Sequence, residues 1–205
     1  MYEIYLLRHG ESEGVQKNIL QGHRDFILTD SGREQIAALG QYWQNKSLSF
    51  DKIITSPLKR CKETAMIIAS HLDNIEIIAE PLWIERGFGK AEDTDLQTVK
   101  DWYISRPYPS AFEPIYDTGE PEWAVHIRAG QAVDKILSFP EGDYLIVAHG
   151  NIINAALHMI CGVLPQGRAL PIKMALAVGQ YAKLTYCPNT ARWTLVGFNW
   201  GAITP

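Results

Sequence analysis

The sequence Ile4-Tyr5-Leu6-Leu7-Arg8-His9-Gly10-Glu11-Ser12-Glu13 decides how the chain is interpreted. Its apolar first half is typical of a buried strand, and the strand ends in an arginine and a histidine. Gly10 then allows a sharp turn and the close approach of a ligand. Because open α/β sheets bind ligands at the carboxyl ends of their strands, we expect Arg8 and His9 to belong to a functional site.

Composition narrows the class of protein. The 205 residues, 46% of them hydrophobic and 20% charged, suffice for one globular domain with a sizeable core. A net charge of -4 without a basic run argues against a nucleic-acid partner. No apolar run approaches the ~20 residues that cross a bilayer, which argues against a membrane partner. Cys61, Cys161 and Cys187 form no CxxC pair, so we expect reduced thiols and a cytoplasmic protein.

Strands and helices alternate along the first part of the chain. A helix is predicted to begin near Thr29-Asp30-Ser31, and a strand to span Asp51–Thr55. Ser56 is expected to N-cap the next helix, with Pro57 in its first position. A short strand over Ile75–Ala79 follows. This alternation predicts parallel βαβ units.

The pattern changes over residues 80–122, which are rich in proline and aromatic residues. We interpret them as a lid-like excursion with a helix at about 93–104, inside a single domain that spans residues 1–205. In the next helix, at about 121–137, Trp123, Ile127 and residues 133–137 are expected to face inward. The later predicted elements are a central strand over Tyr144–Ala148, a helix over Asn151–Ile160, and strands over Ala175–Tyr186 and Trp193–Asn199.

Three predicted strand ends carry groups that suit a phosphate ester. The first ends at Arg8-His9, the second precedes a helix with Arg60 in its first turn, and the later one ends at His149. Parallel neighbours would bring these groups to one edge of the sheet. Arginine forks and helix N-termini favour phosphate oxygens, and a histidine can act as a nucleophile. The sequence therefore predicts a site for a phosphoryl dianion, with an imidazole aimed at the phosphorus.

Four spaced blocks resemble the signatures of the histidine phosphatase superfamily, which includes the cofactor-dependent phosphoglycerate mutases. They are LRHGESE at residues 7–13, LTDSG at 28–32, TSPLKRC at 55–61 and AHGN at 148–151. The resemblance covers nearly the whole chain. It implies an α/β fold of three layers, α/β/α, with the mostly parallel central sheet of the phosphoglycerate mutases.

The resemblance also implies a role for each of five residues. His9 is the histidine that becomes phosphorylated, and Arg8, Arg60 and His149 hold the phosphoryl oxygens. Glu85, in the stretch WIERGFG at residues 83–89, matches the general acid. No metal or other cofactor is required, because the arginines and His149 supply the positive charge.

The expected substrate-binding set departs from the family pattern. The asparagine that often follows the first block is replaced by Gly14-Val15-Gln16, so Asn18 or Gln21 would take over its phosphate contact. The other expected members are Gly22, Gly150 and Asn151. Glu11 is expected to cap or orient rather than to catalyse. The alternative of a metal bound by His9 and His149 has no HExxH motif or cysteine pair to support it.

The activity implied is that of a phosphoric monoester hydrolase of the histidine acid phosphatase type. It would act through a phosphohistidine on a small phosphorylated metabolite. A phosphoglycerate mutase is the alternative, and a non-catalytic phospho-ligand-binding protein is a third. Water is favoured as the phosphoryl acceptor. The mutases carry paired arginines after a tryptophan, whereas here Trp102 is followed by Tyr103-Ile104 and only Arg106 is near. Gln21 likewise stands where the mutases usually have a threonine.

The segment 86–128 bears on the substrate. It contains eight acidic and five basic residues, a net charge of -3, which disfavours polyanionic substrates. Its aromatic residues predict a pocket for a sugar phosphate, a nucleotide-like ester or an aromatic monoester. The sequence leaves the oligomeric state open, a homodimer included.

Overall fold

A mixed six-stranded sheet forms the centre of the computed structural model, which describes residues 1–73, 75–105, 110–166 and 172–202, without the side chain of Tyr103. The strands are β1 (Tyr2–Arg8), β2 (Lys52–Thr55), β3 (Ile77–Ala79), β4 (Asp143–Ala148), β5 (Tyr181–Cys187) and β6 (Arg192–Trp200). Their order across the sheet is β3-β2-β4-β1-β5-β6. The first four pair in parallel, and β5 and β6 extend the sheet through antiparallel pairing. The predicted mostly parallel sheet is confirmed.

Helices cover both faces of this sheet. They are α1 (Glu13–Gln16), α2 (Asp30–Asn45), α3 (Lys59–His71), α4 (Leu96–Ser105), α5 (Glu122–Leu137) and α6 (Gly150–Ile160). Short 3₁₀ helices span Pro81–Trp83, Gly89–Ala91, Ile115–Asp117 and Pro188–Thr190. None of the helices in the described part of the chain is long and apolar enough to cross a membrane.

Two hydrophobic cores, one on each face of the sheet, create the three layers. Successive side chains of a strand point to opposite faces, so Ile4 and Leu6 of β1 join the core under α5 and α6. Tyr5 and Leu7 join the core under α2 and α3. The predicted α/β/α architecture is therefore confirmed, and the continuous apolar run of β1 is explained by burial on both faces.

The N-termini of α2 and α3 are built differently from each other. Thr29 caps α2 as predicted, since its hydroxyl accepts from the N–H of Gly32 at 3.0 Å and donates to the Glu11 carboxylate at 2.7 Å. Glu11 thus orients the turn after β1. The predicted cap of α3 is wrong, because this helix begins at Lys59 with Leu58 as its N-cap. Ser56 lies three residues earlier and has another partner, described below.

The inward face predicted for α5 is wrong in the first turns of the helix and right near its end, where Val133 and Ile136 are buried. Ile127 is 57% exposed, and Trp123 is only half-buried, stacked on Phe112 with ring centroids 5.3 Å apart. The residues of α5 that enter the core are Val125, Ala129, Ala132, Val133 and Ile136. These residues follow helical spacing and so form one apolar stripe, which packs against the core.

The excursion over residues 80–122 contains α4, which confirms the predicted helix at about 93–104 with shifted bounds. Much of its aromatic content packs internally. Trp83 is fully buried in the core, and Trp102 stacks on Tyr116 with ring centroids 4.3 Å apart. Arg106, which the comparison with mutases singled out, lies outside the described residues.

Candidate active site

The parallel pairing of β1, β4 and β2 brings the predicted residues together. Arg8 pairs with Ala148, and Thr55 pairs with Val147, so the three strands end at one level of the sheet. The backbone N–H of His9 donates to the carbonyl of Ala148 at 3.0 Å. The register therefore places His9 beside His149, with ring centroids 5.2 Å apart.

His9 is a buried, neutral imidazole with a defined tautomer. It is 2% exposed, and its Nδ1 lies 2.7 Å from the carbonyl oxygen of Gly10. A carbonyl oxygen only accepts, so Nδ1 carries the proton and Nε2 keeps its lone pair. Burial, followed by the charges of Arg60 and Arg8, holds the pKa of His9 well below its usual value of 6.5. The ring is thus ready to attack an electrophile through Nε2.

Arg60 is fixed in the wall of the same site. Its side chain is 1% exposed and donates from Nη1 to the carbonyl of Arg24 at 2.8 Å and from Nη2 to that of Gly22 at 2.9 Å. Its Nε donates to Nδ1 of His149 at 3.2 Å. The predicted substrate residue Gly22 therefore holds Arg60 through its carbonyl, in a turn where its φ is +50°. Gly suits this left-handed backbone.

His149 has both ring nitrogens engaged. Because Nδ1 accepts from Arg60, the neutral ring carries its proton on Nε2, which donates to the Ser56 hydroxyl at 2.7 Å. Burial, then the charge of Arg60, lowers the pKa of His149 well below its usual value. The thiol of Cys61 lies 3.3 Å from Nε2, and burial raises the pKa of that thiol. Sequence reasoning missed this role of Ser56, since the hydroxyl was taken for a helix cap.

Arg8 presents a guanidinium with a donor to spare. Its Nη1 donates to the carbonyl of Leu176 at 2.8 Å, whereas its buried Nε has no hydrogen-bond partner within the described residues. Burial lowers the pKa of Arg8 from its usual value. A Cβ atom at Gly150 would lie 3.4 Å from Cζ of Arg8, so the glycine allows the backbone of α6 to approach the guanidinium closely.

Glu85 reaches the site from the excursion and binds the N-terminus of α6. Its Oε1 accepts from the N–H groups of Arg86 at 2.8 Å and Ile152 at 3.2 Å. Its Oε2 accepts from the backbone N–H of Asn151 at 3.3 Å and from Nδ2 of the same residue at 3.2 Å. Three of these four donors come from Asn151 and Ile152, so the Glu85 carboxylate is held at the start of α6. Asn151, predicted to bind substrate, thus holds Glu85.

Asn18 and Gln21 both line the cleft in front of His9. The Gln21 side-chain oxygen accepts from the buried Ser12 hydroxyl at 2.8 Å, which orients the amide group. Asn18 has a positive φ of 56° and donates from Nδ2 to Asp95 at 3.3 Å. Gln21 is therefore the better anchored of the two replacements for the missing asparagine.

The cleft has a volume of about 630 Å³ and a different lining from the one expected. Its charged lining residues are Arg8, Arg60, Arg86, Lys173, Glu85 and Glu122. Four cations against two carboxylates make the lining net positive, so the negative charge of segment 86–128 does not describe the pocket. Phe88 is the one Phe, Tyr or Trp among the described lining residues, so this part of the chain does not form the predicted aromatic pocket.

Sequence reasoning missed Arg86 and Lys173 as cleft residues. Arg86 lies directly after Glu85 in the chain, with its guanidinium 5.5 Å above the Phe88 ring and Nη1 3.8 Å from Glu122. Its position next to the acid was an available signal. Lys173 comes from a segment that the sequence did not connect with the site. No group of three or more His, Cys, Asp or Glu side chains suited to a metal ion occurs in the described ranges.

A buried neutral histidine beside two arginines, at the carboxyl edge of an α/β sheet, is an arrangement suited to enzymes that act on phosphate esters. The family model of the histidine phosphatase superfamily (branch 1) matches residues 4–200, and the chain belongs to that superfamily. The resemblance recognised in the sequence is thereby confirmed. So is the expectation of a phosphatase, with the mutases as the alternative.

Individual relatives agree with this assignment. The "Uncharacterized phosphatase PhoE" of Bacillus subtilis (strain 168) is 35% identical over 167 residues, which cover 81% of each chain. A 2,3-bisphosphoglycerate-dependent phosphoglycerate mutase of Bartonella henselae is 31% identical over 172 residues, 78% of this chain and 82% of its own. The solved structure of Bacillus stearothermophilus YhfR has the same fold, with a TM-score of 0.84 and 22% identity over 100% of both chains.

The two buried imidazoles predict how stability depends on pH. Both pKa values lie well below 6.5 in the folded state, so only the unfolded chain takes up these protons as the pH falls through that value. The contribution of these two rings to the free energy of unfolding is therefore expected to be fully present above pH 6.5. It should be lost as the pH falls toward their folded-state pKa values. Each ring contributes a slope of up to about 1.4 kcal/mol per pH unit in that window.

Urea unfolding in a pH series from about 7.5 to about 5.5 would measure this slope. In His9→Asn the amide nitrogen can replace Nδ1, and in His149→Gln it can replace Nε2, so each variant removes one titrating group at similar shape. In each variant, the slope of the free energy of unfolding against pH should fall by about the contribution of one titrating proton. An unchanged slope in both variants would contradict the buried, neutral state of the rings.

Proposed function

We propose that the chain hydrolyses small phosphomonoesters through a phosphohistidine at His9, with histidine acid phosphatase chemistry and a small phosphorylated metabolite as its partner. The observation that supports this most is the neutral His9 ring, with Nε2 unprotonated, between Arg8 and Arg60 in the cleft. The arginine donors match phosphoryl oxygens in geometry and charge.

In the first proposed step, Nε2 of His9 attacks the phosphorus, the N–P bond forms, and the bond to the ester oxygen breaks. Arg8, Arg60, Gln21 and the backbone N–H of Gly150 take the equatorial oxygens, whose charge they stabilise. One such preorganised donor is typically worth about 2.7–4 kcal/mol at the transition state. Glu85, having taken a proton on binding the dianionic substrate, gives it to the departing oxygen.

In the second proposed step, water attacks the phosphorus of the phosphohistidine. The Glu85 carboxylate, now ionised, accepts a proton from that water. The N–P bond breaks, inorganic phosphate leaves, and His9 returns to its neutral form with Nδ1 still bound to the carbonyl of Gly10. The hydrogen bonds from Arg86, Asn151 and Ile152 hold the Glu85 carboxylate in place for this step.

The residues beyond the phosphoryl cradle suit an acidic leaving group. Arg86 and Lys173 add two cations to the lining of the cleft, and Glu122 offsets one of them. We therefore propose that esters whose alcohol carries a carboxylate are preferred over esters of neutral alcohols.

The reduced state of Cys61, Cys161 and Cys187 supports a cytoplasmic location.

The mutase function is retained as a second candidate, because relatives of that name match most of the chain. The group that accepts the phosphoryl group from His9 distinguishes the two candidates: water in a hydrolase and a second hydroxyl in a mutase. Gln21, bound to Ser12, stands at the position where the mutases usually have a threonine, and this favours water.

Two assays test the proposal. The expected result is release of inorganic phosphate from para-nitrophenyl phosphate and from a panel of metabolite monoesters, with phosphorylated hydroxy acids ranked above glycerol phosphate by kcat/KM. Phosphoryl exchange between positions of phosphoglycerate, stimulated by bisphosphoglycerate and faster than hydrolysis, would instead establish a mutase. Absence of turnover with every ester would leave only phospho-ligand binding.

A further inference from the structure

Arg128 of α5 uses all five N–H groups of its guanidinium in hydrogen bonds. Nε and Nη2 donate to the two carboxylate oxygens of Glu120, at 3.0 and 2.7 Å. Nη1 donates to the carbonyls of Leu82 and Ile84, at 3.0 and 2.6 Å, and Nη2 to that of Glu85 at 3.3 Å. One guanidinium therefore binds three carbonyls of the segment that carries the proposed acid.

Glu120 extends this grip to the other side of Glu85. Its Oε2 accepts from the backbone N–H of Gly87 at 3.2 Å, while it is bound to Arg128. Residues 84–87 belong to no helix or strand, so their backbone groups need partners from elsewhere. The Arg128–Glu120 pair supplies several of them and so fixes the path of the backbone through Glu85.

His23 binds the same carbonyl from a different part of the chain. Its Nε2 lies 2.8 Å from the carbonyl oxygen of Glu85 and donates to it. The carbonyls on either side of His23, those of Gly22 and Arg24, accept from Arg60. One turn therefore connects the phosphoryl-binding arginine with the segment of the proposed acid.

We propose that Arg128 is a positioning residue for the acid step. Its pairing with Glu120 holds residues 82–87 so that the Glu85 carboxyl reaches the leaving oxygen of the ester. Arg128 and Glu120 line a separate groove, together with His23 and Gly87, rather than the cleft that contains His9. Arg128 therefore acts through Glu85, and the inference rests on the proposed function, in which Glu85 protonates that oxygen.

Loss of a positioning residue should affect two kinds of ester differently, which loss of a merely structural residue would not do. An alkoxide is a poor leaving group and needs the proton, whereas para-nitrophenolate leaves without one. The ratio kcat/KM reports the steps up to formation of the phosphohistidine, so the later hydrolysis of that intermediate does not affect it. Displacement of Glu85 should therefore reduce kcat/KM for glycerol phosphate far more than for para-nitrophenyl phosphate.

The experiment measures kcat/KM for both esters in Arg128→Met. We expect a loss of about 10- to 100-fold for glycerol phosphate, and of less than about 3-fold for para-nitrophenyl phosphate. Arg128→Lys keeps the charge next to Glu120 with fewer donors and should lose less. The matched control is Arg33→Met, which breaks a comparable ion pair, with Glu63 at 2.6 Å, away from the cleft. In this control, kcat/KM should stay unchanged for both esters.

His23→Ala keeps the proposal testable if Arg128→Met does not fold, because His23 is exposed and its removal leaves no buried charge. This variant should also lower the rate with glycerol phosphate selectively, by about 3-fold, since it removes one of the donors to the Glu85 carbonyl. The inference would be overturned if Arg128→Met lost the same factor in kcat/KM with both esters. It would also be overturned if the ratio of kcat/KM for glycerol phosphate to kcat/KM for para-nitrophenyl phosphate were unchanged in Arg128→Lys and His23→Ala. If Glu85→Gln itself left the ratio unchanged, the proposed function would be wrong instead.

Discussion

His9→Ala is expected to lower kcat/KM for para-nitrophenyl phosphate by at least about 10⁴-fold, because the variant lacks the atom that attacks phosphorus. Arg8 and Arg60 remain and should still bind the phosphoryl group. The loss should therefore appear in kcat much more than in KM. Release of para-nitrophenolate, followed by absorbance, gives both constants.

A rapid acid-free quench with labelled ester adds a direct readout. Wild-type protein should carry one labelled phosphoryl group that is stable to base and labile to acid, and His9→Ala should carry none. The matched control is His71→Ala, since His71 ends α3, about 16 Å along the helix from Arg60 at 1.5 Å per residue. Turnover that survives in His9→Ala, or is lost in the control, would contradict the assigned nucleophile.

Glu85→Gln is expected to lower kcat/KM for glycerol phosphate by about 10²- to 10⁴-fold, the usual range for loss of a general acid. Glutamine is isosteric and can keep its side-chain oxygen bonded to Asn151 or Ile152, but it has no proton to give. With para-nitrophenyl phosphate the loss in kcat/KM should be less than about 3-fold, because that leaving group needs no acid. Steady-state rates with both esters test this.

Hydrolysis of the phosphohistidine provides an independent check of the same residue. If Glu85 also activates water, Glu85→Gln should accumulate the phosphoenzyme, seen as a burst of para-nitrophenolate before the steady state. Glu122→Gln is the matched control, since Glu122 is the other carboxylate in the described lining of the cleft and the variant makes the same change of charge. Equal losses for the two esters, together with no burst, would contradict the role of Glu85.

The nucleophile and its cradle could be predicted from the sequence for a definite reason. Arg8-His9 and His149 follow apolar runs directly, and the ends of parallel strands lie at one edge whatever the details of the loops. Arg60 follows its strand within one helical turn, so local geometry carries it to the same edge. Glu85 was predicted by resemblance alone, since an acidic residue in an irregular segment has no periodic signal.

Predictions failed where rotation or long-range contact decides the structure. The apolar residues of α5 occur on two faces, and the larger Trp123 and Ile127 drew the prediction to the face that lies outside the core. The charge of segment 86–128 misrepresented the cleft, because of that segment's charged residues only Arg86 and Glu122 line it within the described residues. Lys173 joins the lining from a distant part of the chain.

The sequence by itself determined the family, the α/β layers, and a histidine with two arginines at the ends of parallel strands. These follow from residues that are neighbours in the chain or in strand register. Only the tertiary structure decided that Ser56 holds His149, that the cleft is positively lined, and that Arg128 holds the Glu85 segment. Arg128 and the carbonyls it binds are 43 to 46 residues apart, and hydrogen bonds over such separations leave no periodic pattern in a sequence.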